Sequence, residues 1–229
     1  MNKIFAVLLA IMGGLASPRI MAQQSTLSIE QFEKGISGTG VQILDVRTAG
    51  EFQGGFLKNA MQANWNDQDE FLKRTASLDK ARPVFTYCLS GARSNAATNW
   101  LNERGYQAYN LTGGMMAWKN AGKPIEQLTP VIPMMADEYF KLTNSGKTVL
   151  VDFGAGWCPP CIKMAPVLDS LLKANPGKFS LIKIDGAAQT ALSARMNVTA
   201  FPVFIIYKNG KETWRKEGIV EASEIIKAM

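Results

Sequence analysis

The sequence predicts an α/β protein of two unlike domains, and three observations carry that prediction. Short apolar strands alternate with amphipathic helices from Leu27 to Gly122 and again from Met134 onward, the pattern of a sheet covered by helices. Between the two runs, "GKPIEQLTPVIP" places three prolines in twelve residues with no sustained periodicity, which marks a linker. The second run closes on "VFIIYKNG" and "KETWRKEG", a strand and its antiparallel return, so it does not repeat the first.

In chain order, "VQILDV" reads as a strand and "TAGEFQGG" as a short helical turn. A helix follows over Phe71 to Leu78, and "PVFTYC" is a strand that ends at Cys88. "ARSNAATNWLNERG" begins a helix that closes at Gly105, and "AYNLTGGMMAWKNAG" supplies a strand and a last helix. Strands separated by helices imply a mostly parallel sheet. In the second unit the order is a helix near Met134 to Leu142, the strand "TVLVDFG", a helix after Cys158, the strand "SLIKID", a helix near Gln189 to Met196, the hairpin, and a helix from Ala222. The predicted boundaries are 1–22 for an export signal, 23–122 for the first domain, 123–132 for the linker and 133–229 for the second domain.

The export signal rests on Lys3, the apolar run Ile4 to Ala16, the polar break "SPRIMAQQ" and the small residue Ala22. The run is short beside the ~20 residues a bilayer span needs, so cleavage near Ala22 and export are expected, with periplasm the favoured destination. Removing 1–22 takes away Lys3 and Arg19 and lowers the formal charge from +6 to +4. No basic run is interleaved with aromatic residues, so the charge reads as solubilising and no nucleic acid is expected. The chain has no histidine, which excludes Ser-His-Asp and Cys-His machinery and histidine metal sites. Three cysteines in an exported chain make a poor disulfide scaffold and suggest working thiols. No cofactor and no metal is expected.

Two of these cysteines stand in "FGAGWCPPCIKMAP". A Cys-x-x-Cys at a strand-to-helix junction puts Cys158 at the helix N-terminus, where unpaired N–H groups and the dipole lower its pKa, with Cys161 one turn in as the resolving thiol. Half of a zinc site is the alternative, and Cys88 is the one available third ligand. Pro159 and Pro160 lack N–H donors for the Cys158 thiolate, which favours a reductant over an oxidant. With "VDF", "WCPPC", Pro166 five residues after Cys161, "FPVFIIYKNG" and Gly218, residues from about Pro133 to Met229 resemble thioredoxin. The resemblance implies a thioredoxin fold with a mixed sheet, a cis Pro202 that sets Ala200 and Phe201 beside Cys158 to dock substrate, Trp157 at the binding face, and Asp152 as a buried proton acceptor for Cys161. Gly154 stands where the family usually has tryptophan, which opens a gap. Lys183 is near the family's lysine but out of register with it, and a solvated basic group is an equal reading.

The third cysteine opens "CLSGARS". A strand that ends at Cys88 and a loop that turns into a helix form an inward nest of N–H groups suited to an anion. Ser90, Gly91 and Ala92 form the loop and Arg93 its rim, while a buried structural cysteine is the equal alternative on this segment alone. "ILDVRTAGEFQGGFLKNA", "YCLSGARS" and "NLTGGMMAW" resemble a single-domain rhodanese over about Leu27 to Gly122, which implies a parallel-sheet domain that carries sulfur on Cys88. Asp45 and Arg47 match its "DVR" signature and are expected to be a bracing ion pair. Cys-x4-Arg is one residue tighter than the Cys-x5-Arg of related phosphatases, favouring sulfur transfer. Leu89 replaces a cation common among thiosulfate users, which puts thiosulfate in doubt as donor.

The combined expectation is a thiol-disulfide reductant fused to a sulfurtransferase. A Cys88 persulfide from a sulfane sulfur donor would be reduced by Cys158 and Cys161 with release of sulfide. Disulfide-containing proteins are the expected substrates, and a membrane thiol carrier is the expected reductant. Two alternatives stand beside it: a protein-disulfide reductase with a non-catalytic binding domain, and a non-enzymatic sulfur sensor.

Overall fold

The computed structural model describes residues 25–128 and 131–229; the expected export signal therefore lies outside the described residues. The first domain contains β1 (Thr26–Leu27), α1 (Ile29–Ile36), β2 (Gln42–Asp45), α2 (Ala49–Gln53), β3 (Ala60–Gln62), α3 (Gln68–Thr75), β4 (Val84–Tyr87), α4 (Ala92–Glu103), β5 (Ala108–Leu111) and α5 (Gly114–Asn120). Its five strands pair in the order β1-β5-β4-β2-β3, all parallel. Mostly apolar strands such as "VFTY", buried at all four positions, are what a sheet covered on both faces requires. Phe32, Phe52, Phe85, Tyr87 and Trp118 fill one side of it, and Leu44, Phe71, Cys88, Ala97 and Leu101 the other.

Capping residues explain where the helices begin. Ser28 and Thr48 each accept from the N–H three residues on, while Gln31 and Glu51 return to the cap N–H, so α1 and α2 both start with capping boxes. Part of the proline-bearing connection packs on the first domain. Phe56 and Glu126 exchange backbone hydrogen bonds of 2.8 and 2.7 Å, and Trp118 Nε1 donates to the Pro124 carbonyl at 2.9 Å.

The second domain contains α6 (Ala136–Thr143), β6 (Val149–Gly154), α7 (Pro159–Ala174), β7 (Ser180–Asp185), α8 (Thr190–Arg195), β8 (Val203–Lys208), β9 (Lys211–Glu217) and α9 (Ala222–Ala228). Its sheet order is β7-β6-β8-β9; β6 and β7 run parallel, and β8 lies antiparallel to β6 and β9. Tyr139, Phe153, Ile205 and Tyr207 pack on one face, and Leu150, Met164, Leu168 and Phe204 on the other. Among the described residues, no helix is long and apolar enough to cross a membrane.

Candidate active sites

Strand β6 ends at Gly154, and the next four residues carry the chain over the sheet edge to Cys158, the N-cap of α7. Pro159 and Pro160 occupy the first helical turn, where their missing N–H groups cost no intrahelical bond. Cys158 and Cys161 form a disulfide, and the Cys161 N–H points at Cys158 Sγ at 3.4 Å. The Phe201–Pro202 peptide is cis, and the Phe201 carbonyl oxygen lies 3.6 Å from Cys158 Sγ. Pro166 sits inside α7 without ending it.

Asp152, on β6, has one carboxylate oxygen buried without a hydrogen-bond partner among the described residues. Burial raises its carboxyl to about 6, against a weaker lowering by the Lys183 charge. The sheet register sets Lys183 directly across from Asp152, but its ammonium bonds Asp169 at 3.1 Å on the exposed side.

Cys88 follows β4 and is 1% exposed. The Gly91 N–H reaches its Sγ at 3.1 Å, and the Ser94 hydroxyl lies 3.4 Å away. Burial pushes the thiol up, but hydrogen bonds from the Ser94 side chain and from the backbones of Ser94, Ser90 and Gly91 more than offset it, so the net shift is downward. The loop needs glycine at two points. Gly91 has φ +98°, and a Cβ on Gly114 would lie 2.5 Å from the Cys88 carbonyl oxygen. Through that close approach, the N–H groups of Met115 and Met116 hold the carbonyls of Cys88 and Leu89 at 2.8 and 3.0 Å.

Arg93 does not point freely into the cradle. Its guanidinium makes two bonds to Glu51, of 2.9 and 2.7 Å, and these hold the Glu51 carboxyl down at about 2. Ser90 and Ala92 are exposed at the mouth. Asp45 and Arg47 form a buried pair at 2.6 Å, and Arg47 also donates to the Gly55 carbonyl at 2.7 Å, so they brace the segment before β3 and do not touch Cys88.

Comparison with known proteins agrees with this geometry. The thioredoxin family model matches residues 130–229, and the rhodanese-like domain model matches residues 28–121. A thioredoxin-like protein of Synechocystis is 33% identical over 38% of this chain and 84% of its own length. The chain belongs to the thioredoxin family. It is also 42% identical to the chloroplastic thioredoxin Y of Oryza sativa over 37% of this chain, and it spans about half (51%) of that relative's length. A rhodanese-like domain protein from Staphylococcus aureus aligns at 27% identity and a TM-score of 0.40, over 46% of this chain and 99% of its own. The two family models make the protein a two-domain fusion, a rhodanese-like module followed by a thioredoxin domain.

The two domains meet over the dithiol, a contact that no sequence motif announces. Just past β3, the Ala63 N–H bonds inward to the Asp45 carbonyl of the sheet at 3.0 Å, whereas the Gln62 N–H at the end of β3 points outward and bonds the Trp157 carbonyl at 2.9 Å. Trp157 lies against Phe52 at 5.5 Å between centroids, and the Arg74 guanidinium stands 4.9 Å over its ring. Arg74 is held by Glu70 at 3.0 Å and by the Gln62 side chain. In this arrangement Cys158 is 0% exposed and Cys161 is partly exposed. Strands β2 and β3 intervene between the strand carrying Cys88 and the docked thioredoxin loop, which at ~4.8 Å per strand separates the two sulfur sites by on the order of 10–15 Å. Glu51 stands in the rhodanese-like motif "ILDVRTAGEFQGGFLKNA", but its pairing with Arg93 is not legible there; Ser94, Gln62 and Arg74 are the site positions that sequence reasoning does not single out, and of these only Ser94 carries a signal, as the last residue of the quoted loop.

Proposed function

We propose that the protein is an exported, periplasmic thiol-disulfide reductant whose rhodanese-like module carries sulfur on Cys88 as a persulfide. The observation that carries this reading is the pair of working sulfur sites: a disulfide at the N-cap of α7 over the unpartnered carboxylate of Asp152, and a buried Cys88 with its thiol shifted down by donors of its own loop. A sulfane sulfur donor transfers its outer sulfur to the Cys88 thiolate. The Cys158 thiolate then attacks the outer sulfur of Cys88-S-SH. The Cys88 thiolate leaves, and Cys161 attacks Cys158 to release hydrosulfide and close the disulfide. Because two strands separate the sites in the docked arrangement, this handoff passes through an undocked one or through another molecule. Continued turnover draws electrons from a membrane thiol carrier. Export is supported by Lys3 and the apolar run after it.

The same separation favours a second reading, in which the thioredoxin domain reduces protein disulfides independently and the rhodanese-like module only binds sulfur. Intact-mass measurement of the reduced protein after exposure to a sulfane donor tests both, with wild type compared to Cys161→Ser. A gain of about 32 Da on Cys88 in the variant, with a loss of about 2 Da at the dithiol and sulfide release in wild type, supports the coupled reading. Loading of Cys88 without dithiol oxidation supports independent domains. A Cys88 that stays unmodified with every donor removes the sulfurtransferase part.

A further inference from the structure

The disulfide is open to solvent from the unexpected side. Cys158 is 0% exposed beneath Trp157 and the rhodanese-like module, so a reductant has no approach to it while the domains are docked. Cys161, by contrast, borders a pocket of 410 Å³ whose wall includes Gly154, Ala155, Ile162 and Ile184, with Asp152, Lys183 and Asp185 beside it. An ideal Cβ on Gly154 would sit 3.5 Å from Cys161 Sγ and 3.5 Å from Asp152 Oδ1. The side chain that Gly154 lacks would therefore begin beside both the disulfide sulfur and a buried carboxylate oxygen that has no partner among the described residues, and its absence opens the pocket toward them. Lys183 turns its ammonium to Asp169, so the cation nearest the pocket is already paired.

Resting on the oxidoreductase reading above, we propose that this pocket admits a small neutral thiol, which reduces the disulfide by attack on Cys161 rather than Cys158, with Asp152 accepting its proton. In the first step the thiol passes its proton to the Asp152 carboxylate and its sulfur bonds Cys161 Sγ. The Cys158–Cys161 bond breaks, and Cys158 leaves with the electron pair as a thiolate. In the second step another thiol attacks the bound thiol's sulfur and gives the small disulfide. Cys161 leaves as thiolate and recovers a proton from Asp152, while the second thiol gives its proton to solvent. Two thiols are oxidised and one protein disulfide is reduced, so electrons and protons balance. The leaving group supports this direction of attack. Cys158 caps a sixteen-residue helix and receives the Cys161 N–H, and the sulfur whose thiolate is better stabilised leaves faster. Asp152 is also better suited to a neutral thiol than to a thiolate, because its ionised form repels an incoming anion.

The test uses the oxidised full chain and 2-mercaptoethanol as probe. A short, substoichiometric reaction is quenched in acid, free thiols are blocked with N-ethylmaleimide, and the adduct is mapped by peptide mass spectrometry. The expected result is mercaptoethanol on Cys161 with maleimide on Cys158; the reverse labelling overturns the proposal, as does a disulfide that stays closed. Filling the pocket by Gly154→Val should slow reduction by about tenfold or more with circular dichroism unchanged. The backbone accepts the added Cβ at ordinary contact distance. An unchanged rate in that variant also overturns the proposal. Insulin-disulfide reduction by the fully reduced protein reports separately on the oxidoreductase reading. Activity there with an adduct on Cys158 removes the pocket proposal alone, whereas inactivity removes the reading beneath it.

Discussion

Replacing Asp152 with Asn should stabilise the oxidised protein at neutral pH. Burial raises this carboxyl from 3.8 to about 6, and one carboxylate oxygen has no partner among the described residues. An acid whose folded pKa lies above its unfolded value binds more protons when folded, so its cost is absent well below pH 3.8, grows as pH rises, and is complete above about 6. The shift of about two units corresponds to about 3 kcal/mol at pH 8 and about 1 kcal/mol at pH 4.5, at ~1.36 kcal/mol per unit. The assay is urea unfolding of oxidised wild type and Asp152→Asn at both pH values, followed by far-UV circular dichroism. The variant should be the more stable at pH 8, and its advantage should shrink by about 2 kcal/mol at pH 4.5. An equal difference at the two pH values, or a variant less stable at pH 8, refutes the argument that the buried carboxylate is held ionised at a cost to the fold.

Ser94→Ala removes the hydroxyl near Cys88 Sγ, so the pH midpoint of Cys88 alkylation should move upward, read by iodoacetamide kinetics; a midpoint that stays or falls contradicts the assigned role. Gly114→Ala places a methyl group 2.5 Å from the Cys88 carbonyl oxygen at φ +56° and should destabilise the rhodanese-like module by roughly 1–3 kcal/mol, read as a lowered thermal midpoint, while insulin reduction by the thioredoxin domain persists. Arg74→Ala removes the guanidinium over Trp157. At about 0.5–1 kcal/mol for a partly exposed cation–π contact, it should raise the alkylation rate of Cys158 in the reduced protein by about two- to fivefold. An unchanged rate would mean that this contact does not hold the domains together.

Sheet class and most of the helix order are legible because they depend on local patterns such as the mostly apolar run Val84 to Tyr87. Strand β3 is not, because "AMQ" is three residues long and takes its extended form from pairing with β2. Strand β1, of two residues, leaves no pattern for the same reason, and α1 shows in the sequence chiefly through the capping box of Ser28 and Gln31. At the sites, the cysteines and Asp152 stand out by residue type and position in a motif. The Arg93–Glu51 pair joins positions forty-two apart, and the Gln62–Trp157 bond joins two domains. Neither leaves a periodic trace in the chain.

The domain contact gives the two cysteines of the dithiol different audiences. While Gln62 holds the Trp157 carbonyl, a folded protein cannot place an extended segment against Cys158, because the module already occupies that face. A thiol of a few atoms meets no such barrier at the Gly154 side, where glycine and alanine form part of the pocket wall. Under the proposal above, small thiols therefore recharge the closed form, and protein disulfides or the Cys88 persulfide draw on the dithiol after the domains part. The free energy of undocking then limits the second class of reaction and leaves the first untouched. Arg74→Ala should accordingly speed insulin reduction without changing the rate of 2-mercaptoethanol attack on the oxidised protein. A variant that accelerated both reactions equally would place them on one face and remove the distinction between the two sulfurs.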